Sequence, residues 1–164
     1  MPFSIVQNDI TKMKVDVIVN AANTDLYPGG GVCGAIFKAA GYDKLSEECA
    51  KIGHCDTGNA VITKGYDLPA KYIIHTPGPV YTDGLHNEEE LLYSCYKKSL
   101  ELAKKNGAES IAFPLISSGI YDYPKTEALK VAVRAIEDFL EKSDMEVFLV
   151  IYGKELFEIS ARLP

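Results

Sequence analysis

Short β-branched runs alternate with stretches of helical period along the whole chain, and that alternation limits the fold more than any other feature. A strand followed by a helix long enough to cross back returns the chain in the same direction. Repetition therefore builds a mostly parallel sheet covered on both faces. Phe3 to Gln7 and Val15 to Val19 read as strands, and a glycine-rich loop then leads into a predicted helix from Val32 to Ala40. Asp43 is the expected N-cap of a second helix ending at Gly53. Ala60 to Thr63 and Tyr72 to His75 read as two further strands. Asn87-Glu-Glu-Glu90 has the pattern of a capping box, with Asn87 as cap and Glu90 reaching back. The helix it opens carries Leu91, Leu92, Cys95, Leu102 and Ala103 near 3.6-residue spacing and stops by Gly107. A strand from Ile111 to Phe113, a helix from Pro124 to Leu140, a fully apolar strand from Val147 to Tyr152 and a short helix from Leu156 to Ala161 complete the reading. The expected fold is a three-layer α/β/α sandwich around a mostly parallel, partly mixed sheet, with antiparallel options near the N-terminus. It is expected to form one domain over 1–164.

Composition narrows the class of partner. Apolar residues are 47% and charged residues 24%, the balance of a globular chain, and no apolar run approaches the roughly 18 residues of a membrane span. Neither a membrane partner nor a secretory leader is expected, and the expected compartment is cytoplasmic. The net charge of −6 argues against nucleic acid, whose binding sums over many Lys and Arg side chains. It does not argue against one small anion held by main-chain N–H groups. The four cysteines, Cys33, Cys49, Cys55 and Cys95, form no C-x-x-C pair and are expected as reduced thiols rather than metal ligands.

Two irregular segments follow predicted strands, where ligands of α/β sheets bind. The first, Asn20-Ala-Ala-Asn23-Thr-Asp-Leu-Tyr-Pro-Gly29-Gly30-Gly31-Val32-Cys33-Gly34, puts three glycines before a helix N-terminus. That combination favours an anion. The string G-x-G-x-x-G within it lies too far downstream of the strand for a dinucleotide fingerprint, and no Lys-Ser or Lys-Thr marks a P-loop. The second segment, Pro114-Leu-Ile-Ser117-Ser118-Gly119-Ile120-Tyr121, offers hydroxyls and N–H groups to phosphate oxygens. Two such loops point to a diphosphate clamped from both sides. Asn20 and Asn23 supply paired amides suited to ribose hydroxyls, or alternatively to turn formation. Asp9 reads as the N-cap of a short turn over Ile10 to Met13, Tyr152 as an aromatic at the edge of the core or a base-stacking ring, and His75 as a core histidine.

Taken together these segments resemble the macro domain, an ADP-ribose-binding α/β/α module. The resemblance rests on Gln7-Asn-Asp9-Ile10-Thr11, Asp16-Val-Ile-Val-Asn20-Ala-Ala-Asn23, Gly29-Gly-Gly-Val32-x-Gly34-Ala-Ile36 with Ala39-Ala-Gly41, and Thr57-Gly58-x-Ala60-Val-Ile-Thr63. It continues through Tyr72-Ile-Ile-His75-Thr-x-Gly78-Pro79-Val80 and Phe113-Pro-x-Ile116-Ser117-x-Gly119-Ile120-Tyr121. The chain is most similar to stand-alone bacterial and MacroD-like members. That implies a six-stranded mixed sheet and hydrolysis of ADP-ribosyl esters, on modified acidic side chains or on O-acetyl-ADP-ribose. The alternative is a non-catalytic reader of ADP-ribose or ADP-ribosylated protein.

By position, the resemblance makes Asp9 the acceptor of the adenine amino group, with Ile10 and Tyr152 beside the ring. Gly30, Gly31, Val32 and the loop Ser117, Ser118, Gly119, Ile120 and Tyr121 bind the diphosphate. From its own place at the strand end Asn20 is expected among the ligand contacts, and by the resemblance Asn23, Gly31 and Cys33 surround the reacting distal ribose. It implies no cofactor and no metal, and a monomer is expected. One departure stands out: MacroD-like hydrolases carry Gly-Gly-Val-Asp, and here the acidic position is Cys33.

Overall fold

The computed structural model describes residues 3–119 and 121–153. The strands are β1 (Phe3–Gln7), β2 (Val17–Ala22), β3 (Val61–Lys64), β4 (Tyr72–Pro77), β5 (Ser110–Phe113) and β6 (Glu146–Ile151). The helices are α1 (Gly31–Ala40), α2 (Tyr42–Ile52), α3 (Glu88–Lys105) and α4 (Lys125–Leu140), with one 3-10 turn at Ile10–Lys12. The expected helix from Leu156 to Ala161 lies outside the described residues. None of the described helices is long and apolar enough to cross a membrane.

The six strands form one sheet in the order β1-β6-β5-β2-β4-β3. All neighbours are parallel except β3 and β4. The mixed character is therefore at the β3 edge and not near the N-terminus, where β1 runs parallel to β6. Successive strand residues face opposite sides, and both sides are dry. Val17, Val19, Ile111, Phe113, Val147 and Leu149 pack under α3 and α4, while Ile18, Ile73, Ala112 and Val150 pack under α1 and α2. On α3 the buried residues Leu92, Cys95, Tyr96, Ser99, Leu100 and Ala103 recur at three- and four-residue spacing and seat that helix on the sheet.

Two expected caps are replaced. The second helix begins at Tyr42 behind Gly41, with Asp43 in its first turn. Asn87 does precede α3, but it is left-handed (φ 61°) and its side chain makes no cap bond. Glu88 takes over instead: its buried carboxylate accepts from the N–H groups of Thr82, Asp83, Gly84 and His86 at 2.7–3.2 Å. A charged acceptor meeting four donors outcompetes a neutral amide, and it ties the preceding loop to the helix start. Those bonds hold the Glu88 carboxyl far below the usual carboxylate range, the Thr82 N–H contributing most.

Candidate functional site

Five of the six strands end at one edge of the sheet, so the loops after β1, β6, β5, β2 and β4 stand in a row. Four inter-strand steps of about 4.8 Å give that row a span of roughly 19 Å. Along it runs a cavity of about 770 Å3. Its walls come from Asn8–Ile10 after β1, Val150–Gly153 at the end of β6, Pro114–Gly119 and Tyr121 after β5, Ala21–Asn23 at the end of β2 with Tyr27 and Gly29–Cys33 after it, and Gly78 after β4. Asp9 is the sole carboxylate among these described residues, and they include no Lys or Arg.

At the β1/β6 end, Asp9 caps the 3-10 turn, as its sequence context predicts. Its Oδ1 accepts from the Thr11 N–H (3.0 Å) and the Thr11 hydroxyl (2.7 Å). The hydroxyl bond leads in holding its carboxyl below the ordinary value. The other carboxylate oxygen has no protein donor among the described residues. Capping and ligand recognition are therefore compatible in one side chain. Ile10 next to it is buried, and Tyr152, 80% exposed, follows the neighbouring strand β6, whose carbonyl at Ile151 accepts from Asn8 N–H.

In the middle, two sets of free N–H groups converge. Helix α1 starts at Gly31 behind Gly30 with no side-chain cap, so the Gly31, Val32 and Cys33 N–H groups have no intrahelical acceptor. Gly31 takes a left-handed φ of 58°, which glycine adopts without strain. The facing turn is built by Ser118, whose N–H and hydroxyl both bond the Leu115 carbonyl, and by the Tyr123 N–H, which bonds the Ser117 carbonyl. The Ser117 and Gly119 N–H groups remain without a protein acceptor among the described residues. Ser118's hydroxyl is thus structural, whereas the buried Ser117 hydroxyl has no partner among the described residues. Ile120 lies outside the described residues. Gly78 lets the β4 loop touch this turn: a Cβ there would fall on Ser117 Oγ and 2.5 Å from Ile116 Cγ2.

At the far end, Asn23 Nδ2 donates to the Tyr27 carbonyl (2.8 Å), and its Oδ1 accepts from Tyr27 N–H (3.2 Å). The amide thereby closes the turn over Leu26 and still keeps one N–H and one lone pair for a ligand. The buried Cys33 thiol lies beside it, 3.9 Å from the same carbonyl and 3.6 Å from Asn20 Nδ2. Tyr121 completes the corner. Its phenol is pushed up, chiefly by burial, with Tyr27 and Cys33 adding in the same direction.

Asn20 does not reach the cleft, which corrects its expected ligand role. Strand β2 runs to Ala22, so Asn20 alternates with Ile18 toward the buried α1/α2 side, fully covered, opposite His75 on β4. Its Nδ2 bonds His75 Nδ1 at 3.0 Å, and His75 Nε2 meets Thr63 Oγ1 at 2.9 Å. Since the Thr63 hydroxyl donates to the Lys64 carbonyl, we assign the proton of His75 to Nε2, which makes Nδ1 the acceptor. Burial pushes the His75 imidazole down to about 3, so it stays neutral, as a core histidine should. Sequence reasoning missed Asn8, Tyr27 and Gly78 as cleft residues. A large aromatic just before Pro-Gly in a binding loop, and Gly-Pro just after a strand, were the available signals.

Comparison with known proteins gives a consistent result. The family model described as the macro domain matches residues 19–132. A macro domain-containing protein of Methanosarcina mazei is 54% identical over 153 residues, covering 92% of this chain and 81% of that protein. The O-acetyl-ADP-ribose deacetylase of Escherichia fergusonii is 48% identical over 165 residues, covering 97% and 93%. The solved macrodomain of Oceanobacillus iheyensis with ADP superposes with a TM-score of 0.92 at 41% identity, covering 97% of this chain and 87% of the other.

Proposed function

The chain belongs to the macro domain family, and from that premise we propose that its cleft binds ADP-ribose and hydrolyses esters of the distal ribose. The ester is the acyl ester of O-acetyl-ADP-ribose or the one joining ADP-ribose to an acidic side chain. One observation carries the reading: two uncharged anion sites, the uncapped start of α1 and the Ser117–Gly119 turn, face each other in one cleft. Main-chain dipoles can hold a diphosphate without basic side chains, and the deacetylase relative and the ADP-bound neighbour support that ligand.

The free oxygen of Asp9 accepts from the adenine amino group, Ile10 and Tyr152 flank the ring, and Asn23 holds the distal ribose. In the reaction a water oxygen adds to the acyl carbon, the bond from that carbon to the ribose oxygen breaks, and a proton reaches the ribose oxygen. Asn23 orients water and ribose with its remaining N–H and lone pair. A phosphate oxygen of the substrate takes the water's proton, since no carboxylate stands beside Asn23 among the described cleft residues. Cys33 is a passive contact, its proton directed at the Tyr27 carbonyl and its sulfur taking the Asn20 N–H.

The second reading is a reader that binds ADP-ribose, or protein carrying it, and releases nothing. Cys33, standing where a water-holding carboxylate would be useful, favours it. Incubation with glutamate-linked mono-ADP-ribosylated protein and with O-acetyl-ADP-ribose separates the two. Loss of label or release of acetate with the wild type, and not with Asn23→Ala, supports the hydrolase. Saturable ADP-ribose binding with neither product leaves the reader.

A further inference from the structure

Resting on the ADP-ribose reading of the cleft, we propose that Tyr27 is a specificity-determining residue for the group carried on the distal ribose, and that this group is a polypeptide chain rather than a free small acyl group. Tyr27 stands at the Asn23 end of the cleft, 57% exposed. Its main chain is pinned at both polar atoms by Asn23 and approached by the Cys33 thiol. Pro28 follows it and fixes the exit of the chain. Leu26 before it is left-handed at φ 60° and buried. A left-handed non-glycine residue is unfavourable by about 1 kcal/mol. The turn tolerates it, and the outcome is a buried Leu26 with a large ring directed out of the protein on a rigid base.

Two further apolar groups extend the same rim. The loops after β4 and β5 meet directly: Gly78 packs on the Ser117 turn, and the Tyr81 N–H donates to the Tyr121 carbonyl at 2.8 Å. Tyr121 lines the cleft together with Tyr27. Val80, beside Tyr81 and two residues beyond the cleft-lining Gly78, is 57% exposed. The Tyr27 ring stands at the Asn23 end of the cleft, away from the Asp9 pocket for the base. ADP-ribose itself has nothing apolar to place there, and an acetyl ester adds one methyl beside Asn23. A peptide continuing from an esterified side chain passes directly over the rim. Rigid aromatic side chains are the residues that hold such a chain at little entropic cost.

The test compares two ligands by calorimetry: free ADP-ribose, and a short peptide carrying ADP-ribose through an amide in place of the ester, which resists hydrolysis. The wild type is expected to bind the peptide conjugate about tenfold more tightly than free ADP-ribose. In Tyr27→Ala that preference falls to within about twofold of unity, while Tyr27→Phe keeps it because the ring and not the hydroxyl makes the contact. Equal affinity of the wild type for both ligands, or an unchanged preference in Tyr27→Ala, overturns the assignment. If the wild type binds neither ligand, the ADP-ribose reading itself fails and the role of Tyr27 falls with it. If it binds both without preference, only the role of Tyr27 fails.

Discussion

Gly78→Ala places one methyl group where the β4 loop meets the Ser117 turn. The added Cβ overlaps Ser117 Oγ and sits 2.5 Å from Ile116 Cγ2, about 1 Å inside normal contact. Ser117 can rotate its hydroxyl away. Ile116 cannot, because its branch is fully buried against the α3/α4 layer. The backbone of the turn must therefore retreat, and overpacking of this kind is destabilising by about 1–3 kcal/mol. For a chain of this size that lowers Tm by roughly 2–10 °C. The same retreat withdraws the Ser117 and Gly119 N–H groups from the diphosphate. Losing one hydrogen bond to a charged oxygen, about 1.5–3 kcal/mol, weakens ADP-ribose about 10- to 100-fold. Calorimetric titration at a temperature well below Tm reads the affinity, and thermal unfolding reads the stability. Gly119→Ala, whose Cβ meets no atom within 4 Å, is the stability control and keeps Tm within about 2 °C. Full ADP-ribose affinity in folded Gly78→Ala would refute the claim that this turn delivers main-chain donors to the ligand.

Three further outcomes follow from the same geometry. Cys33→Ser should keep the rate of label release within about threefold, and Cys33→Asp should raise it about tenfold by supplying a general base near the water; a loss of several hundredfold in Cys33→Ser would make the thiol a nucleophile. His75 is neutral and pushed down to about 3 in the folded chain, against an ordinary 6.5, so the unfolded chain binds the extra proton between those values. Stability from this group is therefore complete above pH 6.5 and declines as pH falls, by about 1.4 kcal/mol per unit; urea titrations from pH 7 to 5 should show that slope in the wild type and a flatter one in His75→Gln. Glu88→Gln replaces an acceptor of four loop N–H groups by one that is part donor, so it should lower Tm by several degrees and admit protease to the Thr82–Asn87 loop before the rest of the chain; unaltered cleavage there would discount the anchor.

The glycine loop, the helix it opens and the Ser117 turn were legible because each rests on local chemistry: left-handed glycine, orphan N–H groups, a turn after a strand. Asn20 was misread because strand β2 continues three residues beyond the β-branched run. Small residues Ala21 and Ala22 carry no strand signal of their own, and only pairing with β4 extends the strand through them. An amide thought to be in a loop is therefore in the core, opposite His75. The capping box at Asn87 failed for a related reason, since the loop that Glu88 captures precedes the helix and is folded back by contacts outside the pattern. Tyr27 was overlooked because its exposure depends on a bond pair to Asn23 four residues earlier, which sequence spacing does not announce.

On the proposed reading, a chain of net charge −6 holds a diphosphate through main-chain N–H groups in one cleft. Titration of the wild type with ADP-ribose across a salt series tests it most directly. Saturable one-to-one binding is predicted, with an affinity that changes less than about threefold between roughly 50 and 200 mM salt, because few side-chain cations take part. Absence of a saturable heat, or a steep fall in affinity with salt, would contradict the claim.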